Sequence, residues 1–327
     1  MALSFGKMLK PFFKLSPATF QDIVTARYGA QEDIDRVWLG FEPVPRTLID
    51  GFMWTLDDCR FEVLVPKLNA VEIELRGLAY EGAGMGLMLL DSLGPWKNRM
   101  QAFLDGPGAP YLCLVYIGAG LVLPRMPRNP LRFLKRLDPF YCWMAIDGYG
   151  FYEGFFSGRR SLEEKRIPSR LSGYALRAFD HGLGRSLWFA TGANTERIHA
   201  AITAFPEHRQ GDLWSGIGLA CAYAAGVVDR ETIQALREAA GAYQPQMAVG
   251  AAIAAKFRQQ ASSSAPHTEL SCDVLWGAPG ETVARFTDTA RQNVSETSSE
   301  PAYEIWRQRI AEQFTRLTAS GYQKEAR

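Results

Sequence analysis

The sequence predicts an all-α fold: a tetratricopeptide-like helical-repeat solenoid of about six helix pairs, each roughly 34 residues long. Three observations predict it. Similar apolar, small-residue-rich stretches recur around a Gly-x-Gly pair. Their spacing is close to the period of stacked helix pairs. Alternating apolar–polar runs, the mark of half-buried strands, are scarce.

The recurring stretches read "EGAGMGLML", "VYIGAGLVL", "AIDGYGFYE", "FDHGLGRSL", "WSGIGLACA" and "MAVGAAIAA". Aligned on the first glycine of each pair they give Gly84, Gly118, Gly148, Gly182, Gly216 and Gly250. The successive spacings are 34, 30, 34, 34 and 34 residues. In the last copy Ala252 replaces the second glycine. Glycine costs a helix about 1 kcal/mol relative to alanine. Paired glycines in six helices therefore imply a compensating role, and close approach of neighbouring backbones is the natural one. A phosphate-binding loop fits poorly. No β-rich strand precedes "GAGMG", no Gly-Lys-Ser/Thr follows, and the pattern recurs six times.

The elements follow in chain order. Residues 1–74 read as an N-terminal helical cap with apolar helices in "FQDIVTARYG" and "RTLIDGFMWTLDDC". The first twenty residues lack the continuous apolar region and cleavage site of a signal peptide. Pro11 interrupts them, and they read as a staple on the protein body. Residues 75–260 form the helical-repeat core. There "NPLRFLKRL", "NTERIHAAITAF" and "DRETIQALREAAG" take the amphipathic second-helix role. In the last of these Asp229 is the N-cap, Ile233, Leu236 and Ala240 recur at helical spacing, and Gly241 and Pro245 end the run. Residues 261–327 read as a C-terminal helical cap with "GETVARFTDTARQ" and "PAYEIWRQRIAEQFTRL", and a tail that frays after Leu317. The three parts read as one continuous structural unit.

Composition bounds the function. Of 327 residues 47% are hydrophobic and 22% charged, with 36 basic residues against 35 acidic ones. That is ordinary globular composition with no general pull toward nucleic acid. The longest apolar run, "YLCLVYIGAGLVLP", is too short to span a bilayer, and a cytoplasmic location is expected. The five cysteines (Cys59, Cys113, Cys142, Cys221 and Cys272) form no CxxC pair, so they read as free thiols. No metal site and no cofactor is expected.

Chemistry is sought at equivalent positions of neighbouring helices. The residues just before the aligned glycines are Ala83, Ile117, Asp147, His181, Ser215 and Val249. The polar ones fall in the middle copies, so Asp147 and His181 should be neighbours. Asp147, His181 and Asp180 are the candidate catalytic residues, an Asp–His pair being suited to general acid–base work. Arg185 shares a helix face with His181 and suits an anionic ligand group. Glu81, Arg76, Tyr80 and Tyr149 complete the candidate binding residues. Glu81 is costly to bury unless paired, and Arg76 or an arginine of the next copy is the expected partner. The competing reading of these groups is a satisfied buried network that fixes helix register. The aromatic run Tyr149, Phe151, Tyr152, Phe155 and Phe156 is wider than one helix face. It reads as core, or as the lining for a long apolar ligand. Arg125, Arg128, Arg132, Lys135 and Arg136 form a basic segment that suits an acyl carrier protein or an acidic membrane surface.

With these motifs in view, the chain resembles an uncharacterised domain family found in enediyne and related polyketide biosynthetic gene clusters. The resemblance rests on "RGLAYEGAGM", "DGYGFYEGFF", "FDHGLGRSLWF", "DLWSGIGLACAY", "HTELSC" and "PAYEIWRQRI", in order over nearly the whole chain. It implies a role in specialised polyketide metabolism and supplies no reaction. The family commonly has Gln where this chain has His181. That departs from proton transfer at this position and keeps a hydrogen-bonding role. Two functions are therefore carried forward. One is a protein that binds or transforms an apolar, polyene-like intermediate in a groove between repeat helices. The other is a non-catalytic scaffold or chaperone that holds pathway proteins or a carrier protein.

Overall fold

The computed structural model describes residues 5–10, 16–28, 38–94, 98–127, 129–224, 229–296 and 300–325. The described chain is all-helical, with no strand among the described residues. The helices are α1 (Phe5–Leu9), α2 (Pro17–Tyr28), α3 (Pro43–Asp57), α4 (Phe61–Asn69), α5 (Ile73–Leu93), α6 (Arg99–Leu104) and α7 (Leu112–Val122). They continue with α8 (Pro130–Leu134), α9 (Trp143–Phe156), α10 (Ala175–Ala190), α11 (Thr195–Thr203), α12 (Glu207–Tyr223) and α13 (Arg230–Ala240). The last are α14 (Gln244–Gln260), α15 (Pro266–Trp276), α16 (Gly280–Arg291) and α17 (Ala302–Glu325).

The glycine-bearing helices pack in one row. α3 lies on α5, then α7, α9, α10, α12, α14 and α16 follow, each against the next. The glycines set the spacing. A Cβ on Gly118 would lie 1.8 Å from the Glu81 carbonyl oxygen on the preceding helix. One on Gly120 would lie 2.1 Å from the Ala145 oxygen on the following helix. No side chain fits at such a crossing, so backbones meet directly. The same rule holds along the row. The first glycine of a pair faces the helix before it and the second faces the helix after it.

This rule corrects the alignment of the first copy. Gly82 meets Leu48 of α3 at 1.9 Å and Gly84 meets Val115 of α7 at 2.4 Å. The aligned pair is therefore Gly82 and Gly84, not Gly84 and Gly86. The residue before the first glycine becomes Glu81 in place of Ala83. α3 adds a half-copy of the motif, because Gly51 meets the Ala79 oxygen at 2.1 Å.

The second row is less regular than six equal pairs. Asn194 and Asp229 cap α11 and α13 through their side-chain oxygens, at 2.9 Å to Arg197 N and 2.7 Å to Thr232 N. Ile233, Leu236 and Ala240 of α13 are buried. Between α7 and α9, however, the expected second helix is the five-residue α8. Between α9 and α10 it is a single turn at Arg159–Glu163 followed by irregular chain. Pro168 and Gly173, with φ +59° at Gly173, account for that break. α17 stays helical to Glu325, past Leu317 where fraying is expected.

The row curls back on itself. Arg258 of α14 donates 2.7 Å hydrogen bonds to the carbonyl oxygens of Glu74 at the start of α5 and Tyr223 at the end of α12. Gly77 of α5 leaves space for the Tyr223 ring, whose hydroxyl would be 2.0 Å from a Cβ there. At the C-terminal end α17 is tied to α10 and α12 by ions. Asp212 is bound by Arg177 and Arg307, both at 2.8 Å, and Glu304 by Arg177 at 2.6 Å. Burial alone would raise the Asp212 carboxyl; the Arg307 and Arg177 guanidiniums outweigh it and hold the group below its ordinary value. No helix among the described residues is long and apolar enough to cross a membrane.

Candidate functional site

Each glycine crossing fixes which side chains become neighbours. Because Gly118, Gly148, Gly182, Gly216 and Gly250 all meet the carbonyl of the residue preceding the glycine on the helix before, those residues stack in one line. The line runs Leu48, Glu81, Ile117, Asp147, His181, Ser215 and Val249. Four of its members are polar and buried.

Asp147 and His181 meet: His181 Nδ1 lies 2.5 Å from Asp147 Oδ2, with Asp147 0% and His181 3% exposed. Burial holds the imidazole below its ordinary pKa, against the opposing pull of the Asp147 carboxylate. The ring is then neutral, with Nδ1–H donated to the carboxylate. Arg185 Nε lies 3.0 Å from the other Asp147 oxygen, a charge contact whose N–H is not aligned with the oxygen. His181 and Arg185 are one turn apart on α10, so one carboxylate orients both.

The curl of the row leaves an apolar cavity at its centre, with about 80 Å³ open to the centres of water-sized molecules. That holds several waters or part of an organic ligand. Helices from α2 to α14 line it, among them Phe20, Leu48, Met85, Leu114, Ile117, Leu121, Phe151, Phe155, Phe189, Leu219, Tyr223 and Phe257. The positions one turn after the polar line supply much of the wall: Met85, Leu121, Phe151, Arg185 and Leu219. Arg185 is the cation on this wall and Glu81 the carboxyl, among the described residues.

Neither charged group has its hydrogen-bonding capacity filled by described residues, although Arg185 is ion-paired with Asp147. Glu81 is 5% exposed, and no described residue hydrogen-bonds its carboxyl. Burial, only partly offset by the Arg185 charge and reinforced by Asp147, pushes its carboxyl up to about 7. The terminal nitrogens of Arg185 likewise make no hydrogen bond to a described residue. Its guanidinium lies over the Phe151 ring at 5.1 Å.

The Glu81 shift has a stability consequence. The folded state holds the proton above the unfolded value of 4.5, so stability falls as pH rises from 4.5 through about 7. Glu81→Gln should therefore stabilise the protein at pH 8 by on the order of 2–3 kcal/mol. Thermal melts should show a gain of about 3–6 °C at pH 8 that disappears near pH 5. An equal gain at both pH values would contradict a buried, titrating Glu81.

The other expected site residues lie elsewhere. Asp180 is held by Arg209, whose Nε is 2.8 Å from Asp180 Oδ2 and which also binds the Lys165 carbonyl. It does not join the Asp147 group. Tyr149 accepts a 3.0 Å hydrogen bond from Arg170 and packs on Phe179, away from the cavity wall. Tyr80 donates to Asn69 at 2.9 Å and stacks on Tyr111 with ring centroids 3.9 Å apart. Arg76 donates to the Val71 carbonyl at 3.2 Å. It is not the hydrogen-bonding partner of Glu81; the Arg185 charge is the one that acts on that carboxyl. Phe151, Tyr152, Phe155 and Phe156 line the cavity. Arg128 lies outside the described residues. Cys113, Cys142, Cys221 and Cys272 are buried free thiols that burial pushes up, the opposite of an activated nucleophile.

Fold and site together define an all-α protein whose helix row curls around an apolar cavity with one carboxyl and one guanidinium on its wall. The chain belongs to the family described as "Protein of unknown function (DUF1702)", whose model matches residues 15–314. No curated protein and no solved structure matches the chain. Among the described residues no group of three His, Cys, Asp or Glu side chains could hold a metal ion.

Proposed function

We propose that the protein binds an elongated apolar small molecule in its central cavity, with a polar or anionic end received by Arg185. The observation that carries this reading is a pair of charged groups on an otherwise apolar wall: Glu81, whose carboxyl no described residue hydrogen-bonds, and Arg185, whose Nε is ion-paired with Asp147 while its terminal nitrogens make no hydrogen bond to a described residue. Buried polar groups are normally hydrogen-bonded. Two left open on one cavity are what a ligand with a polar head would complete. Pathway context comes from the sequence resemblance to the enediyne and polyketide cluster family, so the ligand class is a polyene or acyl intermediate handled in the cytoplasm. The stacked glycine helices are the part of a tetratricopeptide-like repeat that this reading uses.

A carrier protein is the natural source of such a ligand. Arg125, Arg132, Lys135 and Arg136 are exposed. Arg125 donates a 3.2 Å hydrogen bond to the hydroxyl of Tyr152, a cavity-lining residue. This contact supports delivery of a chain from an acidic acyl carrier protein beside the cavity wall. The scaffold reading draws on the paired Asp180–Arg209 and Asp212 networks, which hold helices together without facing the cavity.

Parinaric acid, a fluorescent conjugated polyene with a carboxylate head, is the probe for this proposal. Its fluorescence should rise on mixing with the protein. Arg185→Met should weaken binding about tenfold or more, as expected for one lost charge-assisted contact. Leu121→Trp should abolish binding by filling the cavity. Wild-type protein that leaves the probe fluorescence unchanged would sink the reading.

A further inference from the structure

We propose that Glu81 is a proton-transfer group, and that the protein shifts a double bond in an unsaturated ligand whose carbonyl oxygen is held by Arg185. The inference rests on the ligand-binding reading above and adds a reaction to it.

The wall of the cavity restricts the chemistry that side chains can supply. Among the described lining residues there is no Ser, Thr, Cys, Lys or His to act as a covalent nucleophile. The lining offers a carboxyl, a guanidinium and the phenols of Tyr152 and Tyr223. Glu81 is nine-tenths buried, accepts no hydrogen bond from a described residue, and opens on carbon-lined space. A carboxylate so desolvated is a stronger base than one in water, and its proton is returned readily at neutral pH. Its raised pKa agrees with that role. Asp147 and His181 stand behind Arg185 and hold its charge toward the cavity. They are positioning residues.

The step balances without a redox partner. Glu81 carboxylate removes a proton from the carbon between the carbonyl and a β,γ double bond. The C–H pair forms a double bond between the carbonyl carbon and the α carbon, and the carbonyl π pair goes to oxygen, giving a dienolate beside the Arg185 guanidinium with the β,γ double bond still in place. The oxygen pair then re-forms the carbonyl, the pair between the carbonyl and α carbons becomes the α,β double bond, and the β,γ pair takes the proton from Glu81 at the γ carbon. One C–H bond breaks at the α carbon and one forms at the γ carbon. The net change is migration of the double bond into conjugation.

The probe is a medium-chain methyl ketone with a β,γ double bond, mixed with the full-length protein. Binding is read by native mass spectrometry. Reaction is read by the growth of conjugated-enone absorbance and by deuterium at the γ carbon in heavy water. Wild-type protein should accelerate conjugation, with a rate that rises as pH passes through about 7 as Glu81 loses its proton. Glu81→Gln should still bind the ketone and lose about a hundredfold or more in rate. Glu81→Asp should retain part of it. If the ketone binds to wild-type protein and Glu81→Gln reacts as fast, proton transfer by Glu81 is overturned while the binding reading stands. If the ketone does not bind at all, the binding reading fails with it.

Discussion

Gly118→Ala should prevent stable folding, or lower stability by more than about 4 kcal/mol, which is beyond the range of ordinary substitutions. The methyl group would sit 1.8 Å from the Glu81 carbonyl oxygen, 2.8 Å from its carbon and 3.1 Å from the Met85 nitrogen. These are backbone atoms inside α5, and no rotamer change relieves them. The helices would have to separate by more than an ångström. α7 is also fixed to α9 through Gly120, so the displacement is passed along the row. Overpacking in a core usually costs about 1–3 kcal/mol because side chains give way; here none is available to do so. Gly211→Ala is the control. Its Cβ would meet only Gln246 Cγ at 3.4 Å and the Tyr243 ring beyond. Alanine is favoured over glycine in a helix by about 1 kcal/mol, so this variant should melt slightly higher than wild type. If Gly118→Ala melts within a few degrees of wild type, the direct backbone crossing is wrong.

These crossings also explain what the sequence reveals and what it hides. Where the backbones cross as closely as at Gly118 or Gly148 only glycine fits, so its period is visible in the residues themselves. The register of the first copy is not. Gly82, Gly84 and Gly86 offer two pairs of equal spacing, and only the partner helices distinguish them: Val115 meets Gly84, while the Thr55 side chain meets Gly86. That two-residue ambiguity placed Ala83 where Glu81 belongs and hid the cavity carboxyl from the line of polar residues. Asp147 and His181 were legible as neighbours because their copies carry one glycine pair each. Asp180 was not separable from them, since adjacent helix residues differ only in direction, and Arg209 decides that direction from another helix. The cavity itself has a partial signal. Phe151, Tyr152, Phe155 and Phe156 span more of α9 than one packed face needs. The curl that brings Arg258 to Glu74 has none, because it accumulates from small rotations at every crossing.

Asp147→Asn should lower stability by about 3–5 kcal/mol, the usual consequence of removing one partner from a buried ion pair. It should also abolish parinaric acid binding in the fraction that remains folded. Both carboxylate oxygens are engaged, one by His181 at 2.5 Å and the other by Arg185 at 3.0 Å. Asparagine keeps one acceptor and puts an N–H donor in place of the other. That donor faces either the imidazole or the guanidinium, and Arg185 loses the charge that orients it. Two comparisons separate this effect from simple destabilisation. His181→Gln keeps a hydrogen-bonding group against Asp147, leaves the Arg185 contact intact, and should cost less than about 1.5 kcal/mol with binding retained. Asp180→Asn breaks the equally buried pair with Arg209, so it should cost as much stability as Asp147→Asn. It does not touch the cavity, so its folded fraction should bind the probe as wild type does. Chemical denaturation and probe titration below the melting temperature measure the two effects separately. Loss of binding in Asp180→Asn as well would mean that the probe reports overall rigidity. Loss confined to Asp147→Asn ties binding to the charge that Asp147 places on the cavity wall through Arg185.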